Sequence, residues 1–164
     1  MLGVMMAYFR QNSSRGLTLI ELVMTLAILA ILATIAVPSI AELLKNNRMV
    51  GQATELVGVM TFARSEAIRR NAQILVDLSI IDSATWNVTV TDSGGNVLRD
   101  ITNERVGLSE DRTFTFTNRG YLDPFNEVTF SLTHENCSSG RQRRNFTMER
   151  TGQFGFVAPA NCGG

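Results

Sequence analysis

Arg15-Gly-Leu-Thr-Leu-Ile-Glu21, followed by an apolar run to Val37 and then Pro38, decides how this chain is organised. Leu17 through Ile40 carries one charge, Glu21, and Leu22 to Val37 holds only Leu, Val, Ile, Ala, Met and Thr. At about 1.5 Å per residue a helix over 17–40 is about 36 Å long, enough for a hydrocarbon core of roughly 30 Å. Arg10 and Arg15 precede it and no acid does. The excess of basic residues places the N-terminus on the cytoplasmic side and sends the remainder across the membrane. Glu21 stands out, because a carboxylate at the centre of a spanning helix costs about 2.5–3.5 kcal/mol. On one reading it sits near the headgroups and reaches water. On another, a cut after Gly16 frees an α-amino group on Leu17, a cation four residues away that neutralises Glu21 in the same chain or in a neighbour.

Gly16-Leu17-Thr18-Leu19-Ile20-Glu21 with its apolar helix and Pro38 resembles the N-terminus of type IV pilins and type II secretion pseudopilins. The resemblance implies a prepilin peptidase cutting after Gly16, N-methylation of Leu17, and Glu21 guiding register during assembly with other pilins or pseudopilins. Leu17 stands where that family usually has Phe. Unlike an ordinary secretory leader, residues 1–16 would be removed ahead of the apolar segment, which stays on the mature protein.

After Pro38, where a kink is expected, the pattern remains helical. Met49, Ala53, Leu56, Met60, Ala63 and Ala67 recur every three or four residues as one stripe. Asn71 is a good helix stop, and Arg69 and Arg70 complement the negative end of the helix. Phe62-Ala-Arg-Ser-Glu-Ala-Ile-Arg-Arg-Asn71 resembles the helix end of GspH/FimT-type minor pilins.

Beyond Asn71 the period becomes two. Strands are predicted at 74–78, 86–91, 98–101, 113–117, 127–132, 144–149 and 154–157, with turn chemistry at Asp92-Ser-Gly-Gly-Asn96, Gly120 and Gly152. The Phe116-Thr-Asn-Arg-Gly120 stretch and the last two strands also resemble that family. The predicted class is α+β with a type IV pilin-like fold: a long N-terminal helix, its first half transmembrane, packed on an antiparallel β-sheet domain. The expected organisation is a leader at 1–16, a membrane half-helix at 17–40, an amphipathic half at 41–72 and a β-rich periplasmic domain at 73–164. The localisation expected is a single-pass protein of the bacterial inner membrane, then a pilus or pseudopilus.

The chain has 15 basic and 15 acidic residues. Losing Arg10 and Arg15 with the leader leaves 13 against 15, so any nucleic-acid contact must come from a local patch. Cys137 and Cys162 lie beyond the membrane segment, where an oxidising compartment favours a disulfide worth roughly 3 kcal/mol; two free thiols are the alternative. An enzyme reading has little support. His134 is the sole histidine, and neither a G-x-S-x-G stretch nor a P-loop is present. His134, Glu135 and Cys137 lack the spacing of a zinc site, and no cofactor is expected.

Gly140-Arg-Gln-Arg-Arg144 places three arginines close together, with Arg150 following. A basic loop binds phosphates without reading sequence; a solvated turn balanced by Glu135 or Glu149 is the bland alternative. Some FimT-type minor pilins bind DNA through a Gly-Arg-x-Arg stretch, which Gly140-Arg141-Gln142-Arg143 matches. That resemblance implies double-stranded DNA as a partner, through Arg141, Arg143, Arg144 and Arg150. The other function in view is an H-type pseudopilin in protein export.

Overall fold

A computed structural model describes residues 16–138, 140–157 and 161–162. Most of the predicted leader, including Arg10 and Arg15, lies outside the described residues. Helix α1 spans Leu19–Arg70 and continues through Pro38. The chain divides into two compact units between Ile40 and Ala41.

In the first unit every described side chain is exposed. An apolar helix with no polar face has no solution as a surface helix in water; lipid is the solvent that suits it. Its length and composition are sufficient to cross a membrane. The hydroxyls of Thr25 and Thr34 donate to the carbonyls of Leu22 and Ile31 at 2.8 and 2.7 Å, so these polar groups are satisfied within the helix.

The second unit begins at Ala41. Its share of α1 buries Met49, Leu56, Val59, Met60, Ala63 and Ala67, with Ala53 partly buried beside them. The predicted stripe is therefore the core face, widened by Val59. The helix closes with a Schellman motif: Asn71 adopts φ 51°, its N–H donates to Ile68, and the Ala72 N–H donates to Ala67.

Among the described residues nine strands follow: β1 Ile74–Asp82, β2 Thr85–Asp92, β3 Val97–Glu104, β4 Val106–Leu108, β5 Arg112–Phe116, β6 Leu122–Asp123, β7 Val128–His134, β8 Arg143–Met148 and β9 Phe154–Val157. They form two antiparallel sheets, ordered β3-β2-β1-β5-β6 and β4-β7-β8-β9. The predicted antiparallel β-sheet domain thus consists of two sheets, a division the sequence leaves open because alternation marks which face is buried and says nothing about which strand is the neighbour. Strands β4 and β6 are two or three residues long, too short to show a period.

Ile74, Val76 and Leu78 of β1 and Trp86, Val88 and Val90 of β2 enter one core with the helix stripe. Trp86 is fully buried, and its indole N–H donates to Gln52 Oε1 at 3.3 Å. Gln52 Nε2 in turn donates to the Glu104 carbonyl at 2.8 Å, joining helix, β2 and β3. The predicted turn joins β2 to β3: Asp92 Oδ1 accepts from the N–H groups of Gly94 and Asn96, both at 2.9 Å.

Candidate functional site

The first turn of α1 is capped by the Thr18 side chain. Thr18 precedes the helix, the Glu21 N–H donates to Thr18 Oγ1 at 3.3 Å, and the Thr18 hydroxyl approaches Glu21 Oε2 at 3.5 Å. Glu21 is therefore held beside the helix N-terminus, where its charge complements the helix dipole. Thr18 was missed by the reading of this stretch as a processing signal, although Thr-x-x-Glu is legible as a cap. Gly16 and Leu17 are both exposed, and a Cβ on Gly16 would meet nothing within 4 Å. The Gly16–Leu17 bond is accessible, and an amine on Leu17 would stand next to the capping residue.

Cys137 and Cys162 are joined by a disulfide, with Cα atoms 5.7 Å apart. Between them the predicted basic loop is largely ordered structure. Gly140–Gln142 forms a 3-10 turn, and Arg143 and Arg144 begin β8. Arg141 is exposed. Arg143 and Arg144 are adjacent in a strand and so project to opposite faces. Arg143 Nη1 lies 3.4 Å from the Asn161 carbonyl, while Arg144 stands over the Phe156 ring at 5.9 Å. Arg150 follows the far end of β8, roughly 20 Å away at the usual strand rise, over the Phe125 ring at 5.8 Å. The structure thus leaves Arg141 exposed on the 3-10 turn, sets Arg143 and Arg144 on opposite faces of β8 and separates Arg150 from all three.

Gln142, between these arginines, is fully buried. Its Oε1 accepts from the Ser138 N–H at 2.7 Å and its Nε2 donates to Glu42 Oε2 at 2.6 Å. The Ser138 hydroxyl and Lys45 Nζ complete the site, donating to Glu42 Oε1 at 2.8 and 3.0 Å. These bonds, led by the one from Ser138, hold the Glu42 carboxyl below its usual range. Sequence reasoning missed Glu42 and Gln142, since nothing local to either residue announces a partner so far along the chain.

At the other end of this helix, Glu66 accepts from Arg69 at 2.6 and 2.9 Å and from Arg70 at 2.7 Å; Arg70 also reaches Asp92 at 3.3 Å. The hydrogen bonds from Arg69 and then Arg70 draw the Glu66 pKa down to about 2. The basic pair at the helix end is therefore satisfied within the domain. His134 is buried and its Nδ1 accepts from the Asn136 N–H at 3.1 Å; burial pushes its pKa down. No group of three or more metal-ligating side chains occurs among the described residues.

Residues 52–152, more than half of the chain, match the family described as type II transport protein GspH. The chain belongs to the GspH family. Residues 11–37 of this GspH-family chain match the prokaryotic N-terminal methylation motif. Among solved structures it is similar to the type IV minor pilin FimU of Pseudomonas aeruginosa in two crystal forms. One has a TM-score of 0.56 at 24% identity, covering 71% of this chain and 96% of that one. The other has a TM-score of 0.52 at 24% identity, covering 67% and 96%. The minor pseudopilin EpsH from the Type 2 Secretion System of Vibrio cholerae follows with a TM-score of 0.47 at 14% identity, covering 67% and 96%. No curated protein matches the chain. The likeness to FimU bears out the pilin-like fold, a long N-terminal helix with antiparallel sheets.

Proposed function

We propose that the chain is a minor subunit of a type IV pilus or type II secretion filament. Residues 17–40 anchor it in the bacterial inner membrane with its N-terminus cytoplasmic and residues 41–164 periplasmic. A prepilin peptidase cuts after Gly16, Leu17 is N-methylated, and Glu21 meets the new amine of a neighbouring subunit as helices pack. The observation that carries this reading is the methylation motif lying across an accessible Gly16–Leu17 bond and a helix start whose one charge before residue 41 is Glu21. The disulfide supports the topology, since such bonds persist in oxidising compartments. Incorporation of Glu21→Ala subunits into filaments tests the reading: the account expects loss, and incorporation equal to the natural chain removes the assembly role of Glu21.

Contact with double-stranded DNA is a second reading, favoured by exposed Arg141 and by Arg143 at the start of β8. Neither they nor Arg144 has an ion-pair partner among the described residues. Guanidinium groups without an ion pair contact phosphate in a salt-sensitive way. A DNA mobility shift lost on Arg141→Ala/Arg143→Ala but kept in Arg150→Ala supports it. Absence of a shift at high protein concentration leaves the H-type pseudopilin, acting in protein export without DNA.

A further inference from the structure

The Phe116-Thr-Asn-Arg-Gly120 stretch, which neither the anchor nor the arginine turn uses, builds an exposed aromatic corner. Tyr121 and Phe125 are 43% and 56% exposed, with ring centroids 6.2 Å apart and planes at 85°. One ring therefore offers a face where the other offers a wall. Beside them is an open cleft of about 380 Å³ bordered by Asn118, Arg119 and Asp123.

This corner is held in place from beneath. The Thr117 N–H donates to the Tyr121 carbonyl at 2.8 Å, and the Tyr121 N–H donates to the Thr117 hydroxyl at 3.1 Å. Between the rings, buried Leu122 pairs with Phe116 and donates its N–H to the Arg150 carbonyl at 3.1 Å. Gly120 adopts φ +77° and sits so close to Ile68 and Arg64 that a Cβ would meet them at 2.9 and 3.0 Å. Tyr121 is thus held by a braced turn, while Arg150 stands over the Phe125 ring at 5.8 Å and leaves open the face turned away from that guanidinium.

Charge and chemistry narrow the ligand. Arg119 and Arg150 are matched by exposed Asp123, Glu127 and Glu149 close by, so the surface offers no excess positive charge to a phosphate chain. The rim instead mixes donors and acceptors. Asn118 Nδ2 is engaged by Asn71 Oδ1 at 2.9 Å, leaving its own Oδ1 to accept, and Asp123 accepts where Arg119 donates. A neutral ring bearing many hydroxyls both donates and accepts, and its axial C–H groups meet the negative face of an aromatic ring. We propose that the corner of Tyr121 and Phe125, rimmed by Asn118, Arg119 and Asp123, binds a neutral mono- or disaccharide. The cleft is at the small end of ligand sites, which suits such a molecule.

Saturation-transfer NMR tests it on the full chain, in lauryldimethylamine oxide micelles so that no detergent sugar competes. Maltose and N,N′-diacetylchitobiose are the probes. The expected result is transfer to pyranose C–H protons for at least one probe, with a Kd on the order of 1 mM. Tyr121→Ala and Phe125→Ala each weaken binding roughly tenfold, while Val97→Ala, at an exposed position on β3, leaves it unchanged. Both rings are exposed, so thermal midpoints stay within a degree or two of the natural chain, about the noise of a surface substitution. The proposal is overturned by no transfer to either probe, or by transfer that survives in the double variant. It is equally overturned if the aromatic variants change only the particle mass by light scattering, which assigns the corner to a protein contact.

Discussion

Gln142 and Glu42, 100 residues apart in sequence, are joined by a 2.6 Å hydrogen bond from an amide that is fully buried. This bond fastens the disulfide-held segment to the soluble part of α1, because the same amide also receives the Ser138 N–H. Removing it deletes the hydrogen bonds to the Ser138 N–H and to Glu42 and empties a buried space, while Glu42 and Ser138 keep their contact with solvent. Gln142→Ala is expected to cost about 1–3 kcal/mol in chemical unfolding. Gln142→Glu, which sets a second carboxylate against Glu42, is expected to cost more near neutral pH and to recover on acidification. An unfolding midpoint unmoved by either change would show that the segment is held by the disulfide alone.

Glu66 provides a pH test. Its folded pKa is depressed to about 2 by Arg69 and Arg70, below the ordinary value of 4.5. A group whose folded pKa lies below its unfolded one stabilises the fold above the unfolded value. That contribution is lost as pH falls from about 4.5 towards 2. Thermal midpoints should fall over this window in the natural chain, and the fall should be shallower in Glu66→Gln. Identical slopes in the two proteins would remove Glu66 as a source of acid sensitivity.

Gly152 and Gly120 bring two turns into contact. Gly152 adopts φ +74°, and a Cβ there would collide with the Gly120 carbonyl oxygen and crowd Phe116 Cε1 at 3.2 Å. Gly152→Ala combines backbone strain with a clash against main chain, and should destabilise by about 2 kcal/mol or more. Gly58→Ala is the control: nothing lies within 4 Å of its Cβ position in mid-helix, so the substitution should be neutral or stabilising by up to about 1 kcal/mol. Equal stability of Gly152→Ala and the natural domain would mean that the two turns separate readily.

The helix was legible because its period persists for many turns. Met49, Leu56, Met60, Ala63 and Ala67 face the core as their spacing requires, and Val59 joins them on the widened stripe. The longer strands were legible too: Val76, Leu78, Val88 and Val90 alternate inward as read. Strand partnership was not, so the division into two sheets could not be read. The arginine turn misled in a specific way. Its composition is that of a solvated loop, yet Gln142 is interior, and the partner that makes this favourable lies on α1. Arg150 looked adjacent to the cluster only because sequence distance ignores the length of β8. At the N-terminus, Thr18 serves the helix as a cap within the stretch that reads as a processing signal, and one motif hid the other.

The central claim is that the chain is cut between Gly16 and Leu17, so that an amine is created beside the residues holding Glu21. Intact-mass spectrometry of the chain recovered from membranes containing a prepilin peptidase tests this directly. The account predicts loss of residues 1–16 and gain of one methyl group on Leu17. A chain recovered from those membranes, or from filaments, with Met1 still in place would contradict it.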